Sequence, residues 1–254
     1  MTNRLPDFLG LGVQKGGTTT LHTWMAAHPQ LMLPPNKELH FFSLHYQRGE
    51  QWYREQFAAA EPHQQCGEIT PYYIFHPLAP ERIQRCCPHA RLIVLLRDPV
   101  KRALSQVFHS QRLGLEPLPL VEALAAESER LSTAGEALKR GDRHRSHQEH
   151  SYVARSCYEL QLQRYEQLFT PEQLWIGRSE DLFERPEWLW SELLQWLQVD
   201  AVPLPLNGLK ANAGDGESSK ADSQLLADLR FQFAPTYEIL KKKYNLEWPT
   251  ITLA

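Results

Sequence analysis

Phe8-Leu-Gly-Leu-Gly-Val13 followed by Gln14-Lys-Gly-Gly-Thr-Thr-Thr20 is the stretch on which the fold turns. The first six residues are a short apolar run of the kind a buried strand shows. The next seven make a glycine-rich turn. Leu21 to Ala27 then reads as a helix, which His28-Pro29 brings to an end. Strand, glycine turn and helix in that order form the first half of a βαβ unit. In such a turn the backbone N–H groups and the helix dipole favour phosphate or sulfate. Gly16 and Gly17 let the backbone approach an anion, Lys15 adds a full charge, and Thr18, Thr19 and Thr20 add hydroxyl donors.

Working outward, Arg91-Leu-Ile-Val-Leu-Leu96 is continuously apolar after its first residue. That pattern suits a central parallel strand covered on both faces. Arg97-Asp98-Pro99 ends it, and a helix is expected from Val100 to Arg112. Leu174-Trp-Ile-Gly177 is a third strand candidate, after a helix over Tyr158 to Phe169. Two more helices are expected over Pro186 to Leu197 and Ser223 to Tyr244, and the tryptophans read mostly as core. Strands alternating with helices predict an α/β fold with a central, mainly parallel sheet flanked by helices. No repeat or linker interrupts the chain, so residues 1–254 are expected to form a single domain. Lys139 to His150, polar and basic, and Asn207 to Lys220, rich in Gly, Ala, Ser and Asn, read as long loops.

Composition narrows the function. Hydrophobic residues are 42% and charged residues 22%, which excludes a disordered chain. Lys+Arg 27 against Asp+Glu 30 gives a net charge of −3, so no basic field calls for a nucleic acid partner. No apolar run approaches the roughly 18 residues of a membrane span, and the first residues lack a signal-peptide layout. Cys66, Cys86, Cys87 and Cys157 show no metal-ligand spacing, and reduced thiols in a cytoplasmic setting are expected. The glycine turn is not G-x-x-x-x-G-K-[ST], because Lys15 precedes both glycines. Nor is it G-x-G-x-x-G, because Lys15 stands where the third glycine belongs. ATP hydrolysis and dinucleotide binding both lose support.

Gln14 to Thr20 resembles the 5′-phosphosulfate loop of the sulfotransferases that use 3′-phosphoadenosine 5′-phosphosulfate (PAPS). Arg97-Asp98-Pro99-Val-Lys-Arg102-Ala-Leu-Ser105 resembles that family's 3′-phosphate site, R-[DN]-P-x-x-R-x-x-S. The resemblance implies a P-loop-type three-layer fold and 3′-phosphate contacts from Arg97 and Ser105. Lys37-Glu38-Leu39-His40-Phe41-Phe42 is similar to the K-E-x-H-F-F segment of the heparan-sulfate-type branch. That likeness implies Glu38 as the catalytic base and His40 near the reacting groups. Gly67-Glu68-Ile69-Thr70-Pro71-Tyr72-Tyr73 resembles the branch's E-K-[ST]-P-x-Y-F segment, which lines the acceptor cleft, and makes Glu68 the competing base. Ile69 stands where the branch usually has lysine, and Lys210 is a weak candidate for the branch's later cofactor loop.

The implied activity is sulfuryl transfer from PAPS to a hydroxyl or amine of a small-molecule or carbohydrate acceptor, leaving PAP, with no metal. Lys15 would stabilise the leaving 5′-phosphate. The rival readings are a non-catalytic PAP/PAPS-binding module and a P-loop phosphotransferase.

Overall fold

The computed structural model describes residues 4–205 and 221–249, so Asn207 to Lys220, with Lys210, lies outside the described residues. The chain divides into two compact units, Met1–Leu96 with Gln163–Asn212, and Arg97–Leu162 with Ala213–Ala254.

The first unit is built on a five-stranded sheet. Its strands are β1 (Phe8–Gly12), β2 (Leu31–Met32), β3 (Gln65–Ile69), β4 (Arg91–Leu96) and β5 (Leu174–Arg178). The order is β2-β3-β1-β4-β5, and every pairing is parallel, with Leu9 opposite Glu68 on one side and Leu92 on the other. Helices α1 (Thr18–Ala26), α2 (Gly49–Glu55) and α3 (Ala79–Cys86) fall between these strands. On the face carrying Phe8, Ile69, Ile93 and Leu95 the core is filled by Leu21, Trp24 and Met25 of α1. It is completed by Leu189, Trp190, Leu193, Leu194 and Leu197. Leu9, Leu11, Leu92, Val94 and Leu96 are buried on the opposite face. Continuous burial on both faces is why these strands read as unbroken apolar runs.

The strand order reverses beside β1: the chain goes from β1 out to β2 and β3, then returns to β4 on the other side. In open parallel sheets the crevice beyond the carboxyl ends of the strands at such a reversal is where ligands bind. The Gln14–Thr20 turn leaves β1 at that end.

The second unit is helical. It contains α4 (Pro99–Arg112), α5 (Leu120–Ala125), α6 (Glu127–Leu131), α7 (Ala134–Lys139) and α8 (Arg145–Glu149). α9 (Tyr158–Glu166) carries the boundary back to the first unit, where α10 (Asp181–Glu184) and α11 (Pro186–Leu197) follow β5. α12 (Ser223–Gln232) and α13 (Ala234–Tyr244) complete the second unit. Its core joins Val100, Ala103 and Leu104 of α4 to Leu229 and Phe233. Asp98 caps α4 by accepting from the Lys101 N–H at 2.9 Å, and Pro99 takes the first turn, where no donor is needed.

Four expectations change. The helix expected over Ser223 to Tyr244 is two helices, broken at Phe233 (φ −88°, ψ 7°). Pro235 has no N–H for the preceding turn and its ring crowds that turn's carbonyl. Lys139 to His150 is not all loop, because α8 forms inside it, capped by the His144 ring and braced by Arg145 on Glu149 at 2.7 Å. β2 and β3 join the sheet although neither carries an apolar run. Trp188 is largely exposed, with Arg185 stacked on its ring at 4.0 Å, unlike the buried Trp24 and Trp190.

Candidate functional site

The turn after β1 is tightly closed and leads straight into α1. Val13 N–H donates to the Leu95 carbonyl at 2.9 Å, and Gly16 N–H to the Val13 carbonyl at 2.9 Å, which closes the turn beside β4. A Cβ on Gly16 would lie 2.8 Å from the Leu95 carbonyl oxygen. Gly17 starts α1 in the left-handed region (φ 79°), and a Cβ there would meet Leu182 at 2.3 Å. Both positions therefore demand glycine. The N–H groups of a helix's first turn are not used by the helix's own carbonyl ladder, which is the general reason such a helix start suits an anion. Thr18 and Thr20 are buried, while Thr19 is exposed.

The segment after β2 returns to this turn. Lys37 Nζ donates to Thr19 Oγ1 at 2.9 Å, and the same ammonium lies 3.4 Å from Glu38 Oε1. The other Glu38 oxygen is 3.6 Å from His40 Nε2, and His40 Nδ1 is 3.1 Å from Ser43 Oγ. The Glu38 side chain keeps 39% of its surface exposed. Burial pushes its carboxyl up, but the His40 hydrogen bond and the Lys37 charge together outweigh burial and hold it below the ordinary glutamate value. His22 is also near: burial first, and then Lys37, lower its pKa. Glu38 and His40 both adopt left-handed backbone (φ 64° and 53°), which non-glycine residues rarely do.

Glu68 is placed differently. It is 2% exposed and accepts from Thr70 Oγ1 at 2.6 Å, Tyr73 OH at 2.5 Å and Tyr53 OH at 3.2 Å. Burial raises its pKa, against those three hydroxyls. Ile69 is 1% exposed and packs in the core on the α1 face, so it does not line a cleft as its motif suggests.

In the second unit Arg97 follows β4 directly, and its carbonyl accepts from Tyr158 OH at 3.0 Å. Ser105 sits two turns into α4 and is 3% exposed. The other two polar members of that motif are structural. Asp98 caps α4 and also accepts from Tyr237 OH at 3.0 Å. Arg102 is fully buried and donates to Ser156 Oγ at 2.5 Å, Gln106 Oε1 at 2.6 Å and the Tyr152 carbonyl.

The family model described as "Sulfotransferase domain" matches residues 5–206. The chain belongs to the sulfotransferase domain family. It is 40% identical over 109 residues to the membrane-associated sulfotransferase kil1 of Dictyostelium discoideum, covering 42% of this chain and 23% of that protein. It is 40% identical over 123 residues to heparan sulfate glucosamine 3-O-sulfotransferase 6 of Homo sapiens, covering 48% of this chain and 35% of that protein. The matches thus span about a quarter to a third of these relatives' length. A sulfotransferase from Alicyclobacillus acidocaldarius superposes with a TM-score of 0.80 at 26% identity, over 96% of this chain and 98% of that one.

The structure brings Lys15, Gly16, Gly17, Thr18, Thr19 and Thr20 into one turn and ties Glu38 and His40 to it through Lys37. Arg97 and Ser105 belong to the other unit. Sequence reasoning for this sulfotransferase chain passed over Lys37, which stood in the quoted motif without a role. Its contact with Thr19 spans 18 residues and depends on how the segment after β2 turns back, which periodicity does not encode. Among the described residues no cluster of three or more His, Cys, Asp or Glu could hold a metal ion. No helix among them is long and apolar enough to cross a membrane.

Proposed function

We propose that the chain transfers the sulfuryl group of PAPS to a hydroxyl, or an amine, of a carbohydrate or small-molecule acceptor. The observation that carries this is the Lys37–Thr19 hydrogen bond, which puts a half-exposed, ionised carboxylate one side chain away from an anion-binding helix start. The turn also fits the nucleotide chemically: it needs glycine at two positions, opens a helix and is bordered by Lys15 and Lys37.

Bound PAPS supplies an activated sulfuryl group and departs as PAP. Lys15 and N–H groups of the glycine turn, with the threonine hydroxyls, hold the 5′-phosphosulfate and stabilise negative charge growing on the 5′-phosphate. Glu38 takes the proton from the acceptor hydroxyl. Its lowered pKa keeps it ionised at neutral pH, ready to accept. His40 orients Glu38 through its Nε2, and Lys37 adds a second positive charge at the helix start. Arg97 and Ser105 hold the 3′-phosphate, which selects PAP-type nucleotides over ATP. Positioning and charge do most of the work in transfers of this kind, by analogy with phosphoryl transfer, and this reading requires no metal.

The two compact units act as one domain over residues 1–254 in this reading, since the family match crosses from one into the other. A cytoplasmic setting is supported by the four free cysteines. The test is incubation with sulfur-labelled PAPS and a panel of neutral and anionic hydroxyl acceptors, beside calorimetry with PAP. Label transfer that Glu38→Gln abolishes while PAP still binds is the expected result. PAP binding without transfer to any acceptor would leave only a nucleotide-binding module.

A further inference from the structure

Glu68 is a buried carboxylate of the first unit that the reaction above does not use, and its three partners share a feature. Each is also in contact with the segment that carries Glu38 and His40. The Thr70 hydroxyl donates to Glu68 Oε2 at 2.6 Å and accepts from the His40 N–H at 3.3 Å. The Tyr73 hydroxyl donates to Glu68 Oε1 at 2.5 Å and accepts from the Phe42 N–H at 3.4 Å. The Tyr53 hydroxyl donates to Oε1 at 3.2 Å, while its ring stacks on Phe41 with centroids 4.2 Å apart and planes 9° from parallel. Arg82 closes the far side by donating to the Phe42 and Ser43 carbonyls at 2.9 and 3.2 Å.

We propose that Glu68 is a positioning residue: through Thr70 and Tyr73 it fixes the backbone at His40 and Phe42, and so sets the aim of Glu38. This rests on the sulfotransferase reading for its catalytic consequence, but its structural core does not.

The physical argument concerns proton direction. A hydroxyl has one hydrogen and two lone pairs. An ionised or hydrogen-accepting carboxyl at Glu68 draws the Thr70 and Tyr73 hydrogens towards itself, which turns both oxygens into acceptors for the backbone N–H groups. Without that acceptor the hydrogens are free to rotate towards the N–H groups, which they cannot bond. The strained, left-handed backbone at Glu38 and His40 needs such an external hold, because local propensity opposes it. Tyr53 and Tyr73 add the rings between which Phe42 is wedged, with centroids 5.1 and 5.4 Å from its own. The two motifs are then one device, in which the segment around Glu68 is the seat of the segment around Glu38.

Hydrogen exchange on the full chain tests this without reference to activity. Glu68→Gln keeps one acceptor oxygen and turns the other into a donor, so at least one of the His40 and Phe42 amides should exchange at least tenfold faster than in the wild type, while those of β1 and β4 stay unchanged. Thr70→Val should speed the His40 amide alone, Tyr73→Phe the Phe42 amide alone, and Thr70→Ser should restore the wild-type rate. In the transfer assay Glu68→Gln and Thr70→Val should lower kcat by roughly 10- to 100-fold with the KM for PAPS and the affinity for PAP within twofold, and Thr70→Ser should recover most of it. Unchanged exchange at His40 and Phe42 in Glu68→Gln would overturn the proposal. Uniform acceleration across the sheet would overturn it too, as general destabilisation. If exchange responds as stated but no acceptor is ever sulfated, the catalytic reading fails and the positioning role stands. If Glu68→Gln abolishes transfer while Glu38→Gln does not, Glu68 is itself the base and the proposal is wrong.

Discussion

Glu38 sits between a lysine and a histidine, and the two neighbours do different things to it. Lys37 ties it towards the glycine turn after β1, and His40 holds its second oxygen. Both favour the ionised form against the cost of burial. A base held below the ordinary value stays ionised into mild acid. The acid limb of kcat should therefore fall below pH 4.5, the usual glutamate value, rather than near neutrality. His40→Ala removes the largest lowering contact, so the limb should move upward, as a pH–rate profile would record. Glu38→Gln should cut turnover by roughly 10²–10⁴ with PAP affinity nearly unchanged. Lys15→Ala should impair both, because in the proposed reaction Lys15 holds the nucleotide before transfer starts. Equal loss of PAP affinity in the two variants, measured by calorimetry, would mean that Glu38 also holds the nucleotide. Ile69 marks the opposite lesson. Its motif suggested a cleft, but β3 turns the side chain into the core, so Ile69→Lys should destabilise the chain and leave acceptor choice unaltered.

At the scale of elements, α4 separates two arginines that the sequence presents as a pair. Arg102 is fully buried and spends its guanidinium on Ser156, Gln106 and Tyr152. Hydrogen bonds to a charged donor contribute roughly 1.5–3 kcal/mol each, and a truncation orphans every acceptor. Arg102→Ala should therefore cost several kcal/mol in urea unfolding, whereas Arg97→Ala should erase the preference for PAP over 5′-AMP. The hairpin of short helices after α4 is tied by Glu116, which pairs with Arg130 and accepts from Tyr152 OH at 2.7 Å. Burial pushes the Glu116 carboxyl up, yet Arg130, the Leu118 N–H and Tyr152 pull it down to about 2. A carboxyl depressed in the folded state contributes stability above its unfolded pKa, and that contribution fades as pH falls from about 4.3 towards 2. Glu116→Gln should lower stability at neutral pH and flatten the acid-side decline over that window. Phe8–Gly12 and Arg91–Leu96 were legible as unbroken apolar runs because both their faces are buried, and Leu174–Arg178 was legible too, although of its residues only Gly177 is fully buried. β3 was not legible, because Gln65-Cys-Gly-Glu-Ile69 spends one inward position on a carboxylate and another on glycine. β2 is two residues long and exists only because β3 is beside it.

Across the whole molecule, charge bears on the acceptor. The net charge is −3, and the long basic stretch, Lys139 to His150, is partly neutralised from within. Arg140 pairs with Asp142 at 3.0 Å and Arg145 with Glu149 at 2.7 Å, so two of its four Lys and Arg residues already have carboxylate partners. A surface that steers a sulfated, carboxylated polymer would carry an excess of unpaired positive charge. We therefore expect neutral hydroxyl acceptors to be used with lower KM than heparan-type oligosaccharides. The sign of the salt effect gives a sharper check than the rates themselves. If the chain weakly repels a polyanion, screening should raise kcat/KM for that acceptor between about 0.01 and 0.15 M salt, where the Debye length shrinks from roughly 30 to 8 Å. The neutral acceptor, corrected for any change in PAPS affinity, should show no such trend. A steep fall with salt for the oligosaccharide would reveal a polyanion-binding surface and reverse the expected acceptor order.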